Sequence, residues 1–230
     1  MYSLGVKSAY NYVRKALDEL DGAEDTGMIC QVDDLDLYRL VEGHIVEAAV
    51  AVHSSAPAHL LEGKHGVIDE DYSVTMAETT VPEIRLLKPA VRLVSIKAPD
   101  SNVLVTDFLY ENTPEARKQL NPYVRGTFDD PKAVVMKKWE EDNKPVVRYY
   151  SLLPSKPEQS DVEGDMPSAQ LLELDVEYIP YPQIIEQVVE ISSRVEYPVL
   201  NMLVSLVLDS LAQHDAAALY KRKSIEYLQQ

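Results

Sequence analysis

Apolar residues recur at steps of three and four along the first stretch of the chain. Tyr2, Val6, Ala9, Tyr10, Val13, Ala16, Leu17 and Leu20 form one stripe, which predicts an amphipathic helix stopped by Gly22. Asp21 to Thr26 reads as a polar loop. A second helix is predicted to start near Asp33 or Asp34, whose carboxylates suit the free N–H groups and positive end of a helix. Leu37, Leu40, Val41, Ile45, Ala48, Ala49 and Val52 would be its buried face, closed by Ser54, Ser55 and Pro57. Gly43 falls in its middle at a cost of roughly 1 kcal/mol against alanine, which a close helix–helix approach would explain.

From about Val67 to Tyr150 the period changes. Leu93 to Lys97 and Val103 to Leu109 suit two strands joined by the turn Pro99-Asp100-Ser101-Asn102. Ala133 to Trp139 and Val146 to Leu153 suit a second hairpin with its turn at Asp142-Asn143-Lys144. Pro114 to Leu120 fits a short helix or turn between them. Pro154 to Ser168 is rich in breakers and acidic residues and is expected to be a mobile loop. One more strand is expected within Leu171 to Tyr178.

Helical spacing is predicted to return at the end. Ile184, Ile185, Val188, Val189 and Ile191 follow Pro182, which a first helical turn tolerates. Pro198 opens a helix with almost no polar face, as expected of one buried on most sides. Asp215 is expected to cap a last helix, Ala216 to Leu228, with Leu219, Tyr220, Ile225, Tyr227 and Leu228 on its apolar edge. The fold class expected is α+β: a helical bundle from both termini with an inserted subdomain of antiparallel hairpins. Residues 1–66 and 179–230 would make the helical core, and residues 67–178 the insert, with the mobile loop at 154–168.

Charge narrows the functions available. Asp and Glu number 38 against 22 Lys and Arg, a formal net charge of −16. Gripping duplex nucleic acid requires cations on phosphates, and no dense basic cluster is present. Lys221-Arg222-Lys223 reads as a solvated face near a helix C-terminus. Pro198 to Leu211 is too short to span a bilayer, so no membrane association is expected. The segment Met1 to Leu17 lacks the unbroken apolar run of a signal peptide.

Candidate chemistry is sparse. The lone Cys30 allows no cysteine-based metal site. His44, His53, His59 and His65 lack the i, i+4 pairing that puts two imidazoles on one helical face, so ordinary packing or surface roles are expected. His214 reads as a neighbour of the Asp215 cap. Glu111 and Glu115 read as chance neighbours in an acidic chain, and Asp33, Asp34 and Asp36 as caps, not as a calcium loop. There is no Walker loop, GxSxG or GxGxxG. Neither a catalytic residue nor a cofactor nor a metal is expected. The 14 tyrosines against 2 phenylalanines either serve protein contacts or stand where other chains use Phe.

Several segments together resemble head–tail connector proteins of short-tailed phages, nearest to the crAss-like phages of gut Bacteroides. They are Arg92-Leu-Val-Ser-Ile-Lys97, Val105-Thr-Asp-Phe-Leu109, Thr113-Pro-Glu-Ala-Arg-Lys-Gln119, Asn121-Pro-Tyr-Val-Arg-Gly126 and Pro131-Lys-Ala-Val-Val135. Tyr178-Ile-Pro-Tyr-Pro182 and Ala216 to Leu228 fit the same order, so the likeness covers roughly residues 90–230. It implies a structural virion protein at the head–tail junction, made in the host bacterial cytoplasm and not an enzyme. It also implies a closed homo-oligomeric ring, commonly of twelve copies, docked under a portal protein and beside other tail or ring proteins. DNA would pass through without specific binding, and part of the acidic excess would face that channel.

Ring subunits meet through unlike faces, and Tyr110, Arg117, Tyr123 and Arg125 are the candidate contacts. Arg125-Gly126 also fits a simple turn. The competing reading is a soluble helical scaffolding or regulatory binding module. A deep pocket joining His44 or His59 to carboxylates would revive a third, enzymatic one.

Overall fold

The computed structural model describes residues 2–23, 33–76, 81–98, 102–121, 123–127, 129–136, 144–151 and 174–229. It is an α+β protein whose chain forms two compact units, Met1–Glu62 with Tyr181–Gln230, and Gly63–Pro180. Gly63 to Gly66, expected with the helices, belong to the second unit because Lys64–His65 pairs with a strand there. The proposed mobile loop at 154–168 lies outside the described residues, as do most of the turns at 99–102 and 142–144.

The first unit opens on a strand, β1 (Tyr2–Gly5), where a helix was expected. Its backbone pairs antiparallel with β12 (Val188–Ile191), and Val6 continues the ladder by donating to the Gln187 carbonyl. Helix α1 (Val6–Ala23) follows and runs past Gly22. Val6, Ala9, Val13, Ala16 and Leu17 are its buried stripe. Helix α2 (Asp34–Ser55) buries Leu37, Val41, Ile45, Ala48, Ala49 and Val52, the predicted face. Asp33 precedes it but makes no side-chain cap bond, and Asp34 instead accepts from Tyr10 Oη and Arg14 Nη1. Gly43 is exposed, and a Cβ placed on it would meet nothing within 4 Å, so no close helix approach explains it.

Ile184 to Ile191 is a hairpin, not the expected helix. Strands β11 (Ile184–Ile185) and β12 flank Glu186 and Gln187, whose φ values are 51 and 62°. Two successive positive φ angles make the tight turn whose twist matches paired strands. Burial along β12 alternates, with Val189 and Ile191 inside, and β-branched side chains suit that pleat. Helix α4 (Glu196–Ser210) is apolar nearly all round because α1, α2 and α5 (His214–Tyr227) all pack on it. Two buried hydroxyls bond the pair together: Ser205 Oγ donates to the Ala217 carbonyl and Ser224 Oγ to that of Pro198, each at 2.8 Å. Asp215 sits inside the first turn of α5 and does not cap it. Ala217, Tyr220, Ser224 and Leu228 face inward, whereas Leu219, Ile225 and Tyr227 are exposed.

The second unit holds two sheets. Strands β2 (Lys64–His65), β10 (Asp175–Pro180), β5 (Ala90–Lys97) and β6 (Leu104–Val105) form one, in that order. The other runs β3 (Tyr72–Met76), β4 (Pro82–Leu86), β9 (Val146–Tyr150), β8 (Lys132–Met136), β7 (Phe108–Tyr110). The expected hairpin partners do pair antiparallel, β5 with β6 and β8 with β9. The stretch predicted as one strand over Val103 to Leu109 breaks at Thr106-Asp107 into β6 and β7, which lie in different sheets. Alternate residues of both sheets, among them Ile84, Leu93, Ile96, Val135, Tyr149 and Tyr178, share a single core.

One pairing departs from the antiparallel plan: β7 and β8 are parallel. Parallel neighbours need a crossover, and α3 (Pro114–Lys118) lies within it. Thr113 caps that helix, its Oγ1 accepting from the Ala116 N–H at 3.3 Å, with Pro114 in the first turn. Ala116 packs with Val81, Val134 and Tyr150 on the face of the sheet away from the main core.

Candidate functional site

The crossover carries the four residues singled out from the sequence. Tyr110 ends β7 and is 63% exposed, and Tyr123, in the loop after α3, is 94% exposed. Leu120 and Val124 are also exposed, so the segment presents an apolar and aromatic strip to solvent. Arg117 projects into solvent from α3. Arg125 differs from the other three. It is half-buried, and its Nε is shielded from solvent without a hydrogen-bond partner among the described residues. Its neighbour Gly126 is fixed by close contact. The Gly126 N–H donates to Gln119 Oε1 at 2.7 Å, and a Cβ there would stand 2.5 Å from the Tyr150 carbonyl oxygen. Arg125-Gly126 therefore anchors the loop, while Tyr110, Arg117 and Tyr123 are the exposed members.

The histidines do not gather. His65 bonds Asp175 through Nδ1 at 2.9 Å in the second unit, and that carboxylate raises its pKa. His53 and His59 lie in the first unit; His59 is exposed, and its backbone carbonyl accepts from Arg194. His53 is 2% exposed, and burial pushes its pKa down to about 4. Its Nε2 stands 3.5 Å from the Ser192 N–H. Among the described residues, no group of three or more His, Cys, Asp and Glu could hold a metal ion.

His44 has a more specific arrangement. Its Nδ1 lies 3.2 Å from Glu47 Oε2 and its Nε2 lies 2.9 Å from Ser210 Oγ. Helical spacing of i, i+3 sets the first contact, and the packing of α4 on α2 supplies the second. Carboxylate, imidazole and hydroxyl thus stand in the order used to activate a serine. The i, i+3 pair was visible in the sequence; Ser210, 166 positions away, was not. His214 pairs with Asp209, not with a helix cap, through Nδ1 at 2.6 Å.

A groove of about 510 Å³ opens between α1, α4 and α5. Tyr12, Tyr220 and Tyr227 line it with Asn201, while Lys15, Glu19, Lys223 and Glu226 contribute charges of both signs. Tyr12 Oη donates to Asn201 Oδ1 at 3.4 Å, and burial raises its pKa, reinforced by the other tyrosines. Lys223 Nζ sits 4.3 Å from the Tyr220 ring centre. With its charges balanced, this groove selects no ligand class.

Compared with protein-family models, with curated proteins and with solved structures, the chain matches none.

Proposed function

We propose that the chain is a structural assembly subunit, acting as the head–tail connector that its sequence resembles, in a homo-oligomeric ring under a portal protein. The strip of Tyr110, Leu120, Tyr123 and Val124 on the β7–β8 crossover carries this reading. Large apolar side chains left exposed along one segment suit protein contacts, and tyrosine supplies contact area with few rotatable bonds. Support beneath the strip is firm. Thr113 caps α3, Ala116 packs on the sheet, and Gln119 holds the Gly126 backbone. A contact surface held in place before binding loses less entropy on association.

Unlike faces must meet around a ring, so this strip would bind a different face of the next subunit or of the portal. Solution mass, measured alone and with the portal protein, tests the proposal. The expected result is a multi-copy species in at least one condition, reduced by Tyr123→Ser combined with Leu120→Ser. A monomer in both conditions, or assembly untouched by the double substitution, would overturn it.

A further inference from the structure

We propose that Ser210 is a nucleophile, with His44 as its general base and Glu47 as the positioning residue, and that it takes one acyl group from activated esters. This goes beyond the assembly reading and does not depend on it.

The argument starts with the protons. An ionised Glu47 carboxylate has only lone pairs to offer, so Nδ1 of a neutral His44 must carry the ring hydrogen toward it. Nε2 then presents a lone pair to Ser210 Oγ, 2.9 Å away. Ser210 owns a single hydroxyl proton and two acceptors, the imidazole and the Leu206 carbonyl at 3.0 Å. Rotation about the side chain toward Nε2 gives the hydrogen bond through which a base activates a hydroxyl.

A second observation concerns access. Ser210 is exposed at the end of α4, so its hydroxyl can be reached by a donor from solvent.

The same geometry limits the outcome. Ser210 ends α4, where the next backbone N–H groups are already engaged: Leu211 with Val207 and Leu208, Ala212 with Asp209, and Gln213 with Leu208. None is left to stabilise a tetrahedral oxyanion, so the expected event is a single acylation and not rapid turnover. In that step Ser210 Oγ bonds to the ester carbonyl carbon as the bond to the aryloxide breaks. The hydroxyl proton moves to Nε2 and from there to the departing aryloxide.

Ser54 and Ser55 provide internal controls. Both are exposed serines of α2, and their hydroxyls donate to the Val50 and Ala51 carbonyls as that of Ser210 does to Leu206. The full chain would be treated briefly with p-nitrophenyl acetate and acetylation located by peptide mass spectrometry. Ser210 should react on the order of a hundredfold faster than Ser54, at the low end for general-base assistance. His44→Asn should bring it to the level of the controls. Glu47→Gln should give an intermediate rate. Far-ultraviolet circular dichroism checks that each variant folds. Equal rates at Ser210 and Ser54 in the wild type, or an unchanged ratio in His44→Asn, would end the proposal.

Discussion

Among the described residues, His53 of the helical unit is a buried histidine kept neutral, and Asp71 of the β unit is a buried carboxylate kept charged. His53 has no opposing charge among the causes of its altered pKa, and burial alone pushes it to about 4. Asp71 is 1% exposed, and burial by itself would raise its pKa. The Lys88 ammonium at 2.6 Å, the Val67 N–H at 3.0 Å and the Lys64 charge outweigh that and hold the carboxyl well below its ordinary range. Tyr178 nearby is pushed up to about 12, by burial first and then by the Asp71 charge. A buried group left alone discards its charge, whereas one given several donors retains it. The two units should therefore respond to acid in different windows.

The largest expected effect is on the helical unit. The unfolded chain protonates His53 near pH 6.5 and the folded one only near 4, so stability falls as pH drops through that interval. The full loss is about 3 kcal/mol, because each tenfold difference in proton affinity between the two states is worth about 1.4 kcal/mol. Urea unfolding between pH 7 and 4 should show it, and His53→Leu should flatten the slope while lowering the starting value. An unchanged slope would break the comparison.

Asp71 has the opposite sign. Its lowered pKa stabilises the fold above the ordinary carboxylate value near 4, and that contribution is lost as pH falls further. Asp71→Asn should cost about 2 kcal/mol at neutral pH, the scale of hydrogen bonds to a charged group. Hydrogen exchange should place that loss in the β unit and leave α4 protected.

Two smaller effects sharpen the contrast. Thr113→Ala should cost about 1 kcal/mol through the lost cap of α3, read as faster amide exchange at Ala116. Gly43→Ala should stabilise the helical unit by about 0.8 kcal/mol, because nothing stands where its methyl would go. A lower melting temperature for Gly43→Ala would show that the position is occupied after all.

What could be read from the chain follows the same division. Helix α2 has a clean apolar period and α4 an apolar run too long for a strand, and both stand where predicted. Ile184 to Ile191 misled because its apolar pairs fit helical and strand spacing alike. The deciding feature is the turn at Glu186-Gln187, which lacks the glycine or asparagine that normally announces positive φ. The β3–β4 hairpin was not anticipated, although Tyr72 packs into the core with Val74 against it and Ile84 and Leu86 opposite. Thr106-Asp107 moves the chain between sheets, a choice that depends on distant strands and leaves no local mark. At the candidate sites, Tyr110 and Tyr123 are exposed and Arg125 is half-buried, a difference that their local sequence does not mark. Ser210 meets His44 only because α2 and α4 pack together.

The parallel pairing of β7 with β8 has a mechanical consequence. The segment bearing the exposed strip leaves β7 at its C-terminal end and enters β8 at its N-terminal end, on opposite rims of the sheet. Tension applied to that segment would drag the two strands in opposite directions along their length. Their hydrogen bonds would bear the force side by side and give way together, not one after another from an end. A grip on this segment would accordingly resist a sudden pull far better than a simple hairpin tip could.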